Sequence, residues 1–512
     1  MVLDEKPIRI NQKLKTLSQY VEKYPSGWKK RLELGNLLYA TGRWQEAIQE
    51  YRQVIDRQPH LIEVQLKLAK MLQLMGQEAD AAAVYENALS QVRHEATRQH
   101  INGLIGLCRD DITGAIGAFE SATSLESDNA AHWLALGRVQ MEREDAWAAL
   151  QAFEKILSIH PNDLVALIDS YDALLALDNL RDAQARLDRM LELAPDDFRV
   201  LKRQIENRCR MRLVSGEEGQ QTKQMINSAL QQAADAVDAW ELLAYYHIFR
   251  GEWTKGVEVL AQFAEEHPNH PRGWYCYGRC LFHTGEYRKA TSAMLTAYRL
   301  YPKDCEIYRT LCEILPAAGM KCDLLQEKGS QVTLASIVEE MLERFPHRWS
   351  VWVTAGRVLV EHFQEIERGC SLSRKGTQLQ PMLADAWFRH GRVLALGEKH
   401  PEAVEALTHG WQLLPEVGDY RPSVSAAVWL GESYGVLGEE AASRQWWETA
   451  CQQALALIDF DPATVSYWLG KALQGSGDVS GAAQAYQRAL SQQLLYPFHR
   501  EAEEDIKRLQ AR

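Results

Sequence analysis

In the stretch "WLALGRVQ" (133–140), followed by Ala149, Phe153 and Pro161, large apolar side chains, a glycine, an alanine, an aromatic and a proline come in a fixed order. The order returns in "WYCYGRCL" (274–281), with Ala290, Met294, Ala297 and Pro302 behind it. It returns again in "WFRHGRVL" (387–394), with Ala403, Leu407, Gly410 and Pro415. Such a pattern predicts two helices per unit. The small residues (Gly137, Gly278 and Gly391 in the first helix, Ala149, Ala290 and Ala403 in the second) let the pair approach closely, and the aromatic and Leu places fill the seam. A turn glycine such as Gly42, Gly76, Gly251, Gly285, Gly438 or Gly477 ends the first helix, and proline stops the second.

The prolines give the period. Pro25 to Pro59, Pro161 to Pro195, Pro268 to Pro302 and Pro381 to Pro415 are each 34 residues apart, and Pro59 to Pro161 is three times that. Pro346 to Pro381 is 35. Two gaps break step: Pro195 to Pro268 is 73, two periods plus five, and Pro302 to Pro346 is 44, one period plus ten. Period, eighth-place small residue and closing proline together resemble the tetratricopeptide repeat, W-x2-L-G-x2-Y, then A-x3-F, then P. The resemblance covers nearly the whole chain. It implies an all-α, right-handed superhelical solenoid of about thirteen helix pairs, capped at both ends because an open solenoid end exposes apolar surface.

Counting from the eighth place, residues 1–27 read as an N-terminal capping helix and 28–197 as units 1–5. Residues 198–236 form an irregular basic unit 6, and 237–304 units 7–8. Residues 305–348 form unit 9 with a long turn at 316–330, 349–496 units 10–13, and 497–512 a charged capping helix. This leaves no length for a separate catalytic domain.

Composition adds little beyond class: 46% hydrophobic, 25% charged and 16 prolines fit an ordered protein. The net charge of -12 counts against a dedicated nucleic-acid binder. Nine cysteines, without a CxxC, and a start without a basic region before an apolar core read as reduced thiols in a cytoplasmic protein. No window is apolar enough to span a membrane.

The candidate chemistry reads as packing. Cys276, Cys280 and His283 share one side of a helix, but zinc needs a fourth converging ligand, and the tenth place holds a small packed residue in the family. "GESYG" (431–435) places Ser433 within a first helix, not on the strained strand-to-helix turn of a nucleophile. "HEATRQH" (94–100) has Arg98 where a second zinc-binding His belongs. Trp133, Trp240, Trp274, Trp352 and Trp387 occupy the fourth place and read as seam residues. No cofactor, metal or catalytic residue is expected.

Function therefore falls to the concave surface, which the resemblance assigns to the second, fifth, sixth, ninth, twelfth and thirteenth places of each first helix. Those places carry a line of cations, Arg279, Arg357, Arg389, Arg392 and Lys471, with Arg138 further back; Glu313 and Glu432 interrupt it. Arginine forks match carboxylates. They also carry inward-facing aromatics: Tyr245, Phe249, Tyr275, Phe282, Phe388 and Tyr467. Unit 6, "FRVLKRQIENRCRMR" (198–212), adds Arg199, Lys202 and Arg203 as candidates, beside Asp169 and Asp172 of unit 5, and has Ile205 in the small eighth place. The chaperone-binding carboxylate clamp of the family is not reproduced: Asn36 fits, but Leu32, Lys67, Thr97 and Ile101 do not. The expectation is a non-enzymatic scaffold, adaptor, assembly factor or regulatory subunit that holds a partner protein, through an acidic or extended segment. The alternative is an RNA-binding helical repeat; an enzyme subunit with Cys or Ser433 chemistry ranks third.

Overall fold

A computed structural model describes residues 5–40, 43–74, 77–232, 237–319, 325–327, 330–414 and 420–511. Gly42, Gly76, Pro415 and much of the 316–330 turn lie outside the described residues. Helices follow one another in pairs, the first helices mostly of 13 residues and the second mostly of 14, as in Pro271–His283 with Tyr287–Leu300 and Ala130–Glu142 with Ala146–Ile159. Two solitary helices, Glu5–Lys23 and Phe498–Gln510, precede and follow the pairs. Among the described residues an antiparallel hairpin pairs Leu325–Glu327 with Ser330–Val332, in the region expected as a long turn, and an isolated antiparallel bridge joins Asn179 to Tyr420.

The pairing follows a rule of sixteen. A Cβ on the eighth-place glycine would meet the side chain sixteen residues on: Gly137 lies 2.3 Å by this measure from Phe153, Gly470 2.5 Å from Tyr486, Gly391 2.6 Å from Leu407 and Gly278 3.0 Å from Met294. Phe153, Tyr486, Leu407 and Met294 are all fully buried. Only the missing side chain lets the two helices close over these groups. A second rule ties neighbouring pairs together. The indole N–H of Trp274, Trp352 and Trp387 donates at 2.9 Å to the carbonyl of the closing proline six residues back, Pro268, Pro346 and Pro381. The fourth-place Trp thus satisfies a carbonyl that the end of the preceding helix leaves without a partner.

Gly251, Gly285, Gly438 and Gly477 take positive φ at the turns, the conformation in which a residue with a Cβ is strained. The repeat falters at Phe198–Arg210. Ile205 fills the small place, the following helix Gly216–Gln232 runs to 17 residues, and a polar bracket joins the two. Arg208 donates to Thr222 Oγ1 at 2.8 Å and to the Glu218 carbonyl at 3.0 Å.

The chain divides into two compact units. Unit 1 comprises residues 1–142 and 151–161; its core runs from Leu14 through Tyr51 and Tyr85 to Phe119. Unit 2 comprises residues 143–150 and 162–512, and its largest core centres on Phe263, Met294, Tyr308 and Val351.

Candidate partner-binding chamber

Within unit 2 the first helices of successive pairs line a cavity of about 1190 Å³. Helical spacing places the lining: Lys202 and Glu206, Glu241 and Tyr245, Arg272 and Arg279, Asp385, Arg389 and Arg392 each recur three, four or seven residues apart on one face. Among the described residues eleven cationic side chains and nine carboxylates face this space. A chain of net charge -12 therefore gathers a cationic excess at one place.

Most of these charges are paired, within one helix or with a neighbouring one. Arg392 donates to Glu432 at 3.0 Å and Arg389 to Asp385 at 2.8 Å. Arg357 contacts Glu361 at 3.1 Å and Glu313 at 3.7 Å. Lys471 reaches the buried Asp505 of the last helix at 2.7 Å. Arg279, Arg210 and Arg212 have no carboxylate within ion-pair distance among the described residues. Arg279 instead lies over the Tyr275 ring, 5.6 Å from its centroid, and Arg212 over Phe249 at 3.9 Å. The Tyr245 hydroxyl, on the same wall, is buried without a hydrogen-bond partner among the described residues.

Burial dominates the acid–base behaviour. It pushes the Glu206 carboxyl up to about 7, with Lys202 opposing, and raises Asp178 above its ordinary value despite Arg421. It also raises the Cys209, Cys280 and Cys312 thiols to about 12, which leaves them poor nucleophiles.

Residues far apart in sequence close the far side. Arg212 Nε donates to the Gln492 carbonyl at 2.7 Å, and Trp253 Nε1 to Gln493 Oε1 at 2.8 Å. The Tyr496 amide donates to the His283 carbonyl at 3.2 Å, and His283 Nδ1 lies 3.3 Å from the Tyr496 carbonyl. Arg421 bridges Asp178 at 3.1 Å and Asp461 at 2.7 Å; Ser350 Oγ donates to Glu144 at 2.6 Å. The stack in unit 2 thus comes round until successive turns touch.

Models of the tetratricopeptide repeat match residues 14–62, 109–163, 140–205 and 237–280. The helix pairs above supply the rest of the pattern between these segments. These segments are tetratricopeptide repeats. No curated protein sequence matches it. Among solved structures, a MamA protein is 24% identical over 33% of this chain and 92% of its own, with a TM-score of 0.24. The Cut9–Hcn1 hetero-tetramer of the APC/C is 12% identical over 96% of this chain and 99% of that one, with a TM-score of 0.36. YrrB, described as a tetratricopeptide-repeat protein with an unusual peptide-binding site, is 14% identical over 37% of this chain and 97% of its own, with a TM-score of 0.24. Tetratricopeptide-repeat proteins serve in general as protein-interaction scaffolds rather than as catalysts. No helix among the described residues is long and apolar enough to cross a membrane.

Ten of the residues expected on the concave surface of this repeat protein line the chamber: Lys202, Tyr245, Phe249, Arg279, Phe282, Arg357, Arg389, Arg392, Tyr467 and Lys471. Tyr275 lines a smaller adjoining space with Arg279 and Arg309. Three expectations are corrected. Phe388 is fully buried against Leu407 and the Gly410 backbone, because the absent side chain at Gly410 leaves a hole the ring fills. Arg199 folds back on Asp197 at 2.8 Å, and Arg203 grips Asp172 of the preceding pair; neither lines the chamber. The acidic and basic bands of these two pairs thus neutralise each other. Glu313 and Glu432 do not interrupt the arginine line; they are the partners of Arg357 and Arg392.

The packing readings of the other motifs fit where the structure puts them. Cys276 and Cys280 are fully buried in the core. Among the described residues no cluster of His, Cys, Asp or Glu fits a metal ion. The Ser433 hydroxyl is fully buried in the helix Pro422–Val436. His94 and His100 turn to Glu126 and His132, with His132 Nδ1 3.0 Å from His100 Nδ1. The 492–499 contacts and Arg212's part in them were missed. They carry no periodic signal, since Arg212 acts just past its helix end, at positive φ.

Proposed function

We propose that this protein is a non-enzymatic cytoplasmic adaptor whose unit 2 seats an extended, acidic segment of a partner protein in the chamber. The observation that carries the reading is the convergence of Arg279, Arg357, Arg389, Arg392 and Lys471, from four different helices, on one space. An extended chain matches a site whose wall repeats every helix pair. Its carboxylates meet arginine forks, which hold them in two parallel hydrogen bonds. The aromatic rings of Tyr245, Phe249 and Phe282 supply apolar contact between the charges. The arginine–carboxylate pairs in the wall keep the cations positioned before the partner arrives, and exchange of one carboxylate for another costs little net charge.

The test is binding of a fluorescein-labelled deca-glutamate peptide to the intact protein and to the Arg357→Glu, Arg389→Glu, Arg392→Glu variant. Helix content and melting behaviour of the variant are verified first. Binding that is salt-sensitive and lost in the triple variant supports the reading. Equal binding by both proteins sinks it. A pull-down with the same two proteins then identifies the cellular partner.

A further inference from the structure

The wall of the chamber is not uniform. Eight of its sides are first helices, locked to their second helices by buried apolar groups. The remaining side is the short 492–499 segment, a turn between the helices Val479–Ser491 and Phe498–Gln510. Leu494, Leu495, Tyr496, Pro497 and Phe498 all face the chamber. Among the described residues, what fastens this segment across the gap is the hydrogen bonds from Arg212 and Trp253, the exchange with His283, and ring edges from Trp253 on His499 and Tyr496 at 5.7 and 6.0 Å and from Tyr287 on Tyr496 at 6.3 Å. Leu495 adds one aliphatic contact to the facing core.

The facing surface is built to receive a turn. Gly251 and Gly285, both at positive φ, present bare backbone: a Cβ at Gly285 would stand 3.2 Å from the Tyr496 ring, and one at Gly251 3.5 Å from the Gln493 side chain. Two adjacent pairs thus leave the same kind of notch for the same segment. Contacts of this kind, hydrogen bonds and ring edges with one leucine against the facing core, are the ones that open locally while the rest of a fold stays intact.

We propose that the 492–499 segment is the door of the chamber, and that its reversible release from Arg212, Trp253 and His283 admits the partner. This rests on the chamber being the partner's seat. A segment in the middle of a partner chain has no free end to thread through a closed wall, so a side must part to let it in. The door is the side whose parting breaks no helix pair. Association is then limited by the fraction of molecules whose door is open.

The experiment uses the full chain and the variant Gln493→Ala, Tyr496→Ala, with Arg212→Gln as a second, independent way of loosening the door. All are followed by deuterium exchange read by mass spectrometry. The expected result is roughly tenfold faster exchange of the amide of residue 496 in both variants, with the helix amides around Val351 unchanged. The labelled deca-glutamate peptide is expected to associate faster with them by a similar factor. In the unmodified protein, the Tyr496 amide should exchange with deuterium well ahead of the helix amides around Val351. Unchanged exchange at residue 496 in folded variants, a matching rise around Val351, or a Tyr496 amide as slow as the core overturns the door. If the peptide binds none of the proteins, the seat is wrong, and the door stands or falls on the exchange data alone.

Discussion

Two kinds of seam hold unit 2 together, and they are built from opposite materials. Between the helices of a pair, a glycine receives a fully buried ring or aliphatic side chain sixteen residues on, as Gly470 receives Tyr486. Between successive turns, polar side chains and bare backbone meet across 213 to 280 residues of sequence, as Arg212 meets Gln492. The first seam gains by removing apolar surface from water, at roughly 25 cal/mol per Å², and by close packing. The second exchanges hydrogen bonds to water for hydrogen bonds to protein, which nets only about 1 kcal/mol each. The contrast separates what sets the fold from what is free to change within it.

The largest way to break that contrast is to hollow out a pair seam. Phe153→Ala in unit 1 or Tyr486→Ala in unit 2 should cost about 4 kcal/mol, read from denaturant midpoints and from local amide exchange in the affected pair. Overfilling comes next. Gly470→Leu forces a side chain into the Tyr486 ring and should cost about 3 kcal/mol, relieved in part by adding Tyr486→Leu.

Acid is the third lever. Burial lowers the His390 imidazole to about 4, between Ser373 at 2.7 Å and the apolar pack of its pair. A histidine depressed in the folded state binds a proton more readily when unfolded. Its contribution is therefore full above about pH 6.5 and is lost as the pH falls toward 4. Lowering the pH from 7 to 5 should cost about 2 kcal/mol through His390 alone, and His390→Gln should flatten that part of the profile. Glu206 runs the other way. Its carboxyl is raised to about 7 by burial, so it opposes folding above that pH and is relieved below it; Glu206→Gln should steepen the loss of stability on acidification.

The smallest effect on stability belongs to the second seam. Tyr496→Ala should cost only about 1 kcal/mol by urea denaturation, and Gln493→Ala less. A loss near that of Tyr486→Ala would place the turn-to-turn contact among the elements that set the fold.

The pair seams were readable because they repeat. Trp133, Gly137, Ala149 and Phe153 recur in register at the 34-residue period, and a period is visible in one sequence. The arginine line was readable for the same reason, since Arg279, Arg357 and Arg392 stand one place after an eighth-place glycine. The pairing of those arginines was not. Glu313 and Glu432 each belong to a neighbouring helix, and the distance between helices is not written in the period. Phe388 was misplaced because Gly410 makes room for it inside, a consequence of two positions read separately. The turn-to-turn contacts left no trace at all: Arg212, Gln492 and Tyr496 sit at ends and turns, where neither a helical nor a 34-residue rhythm applies.

The closure at 492–499 changes how this stack comes apart. A linear array of repeats behaves as a one-dimensional chain, melting inward from its ends because an end unit has one neighbour instead of two. Here the last pair of unit 2 rests against pairs more than two hundred residues earlier, so that end is no longer terminal. Fraying there must first break a contact whose formation required bringing distant chain together, an entropy that grows only slowly with the length enclosed. Long-range contacts of this kind raise the contact order of a fold otherwise made of local ones, and so make closure the slow, final act of folding. Removing the last helix would therefore be felt at Arg212, Trp253 and His283, the far rim of the same ring.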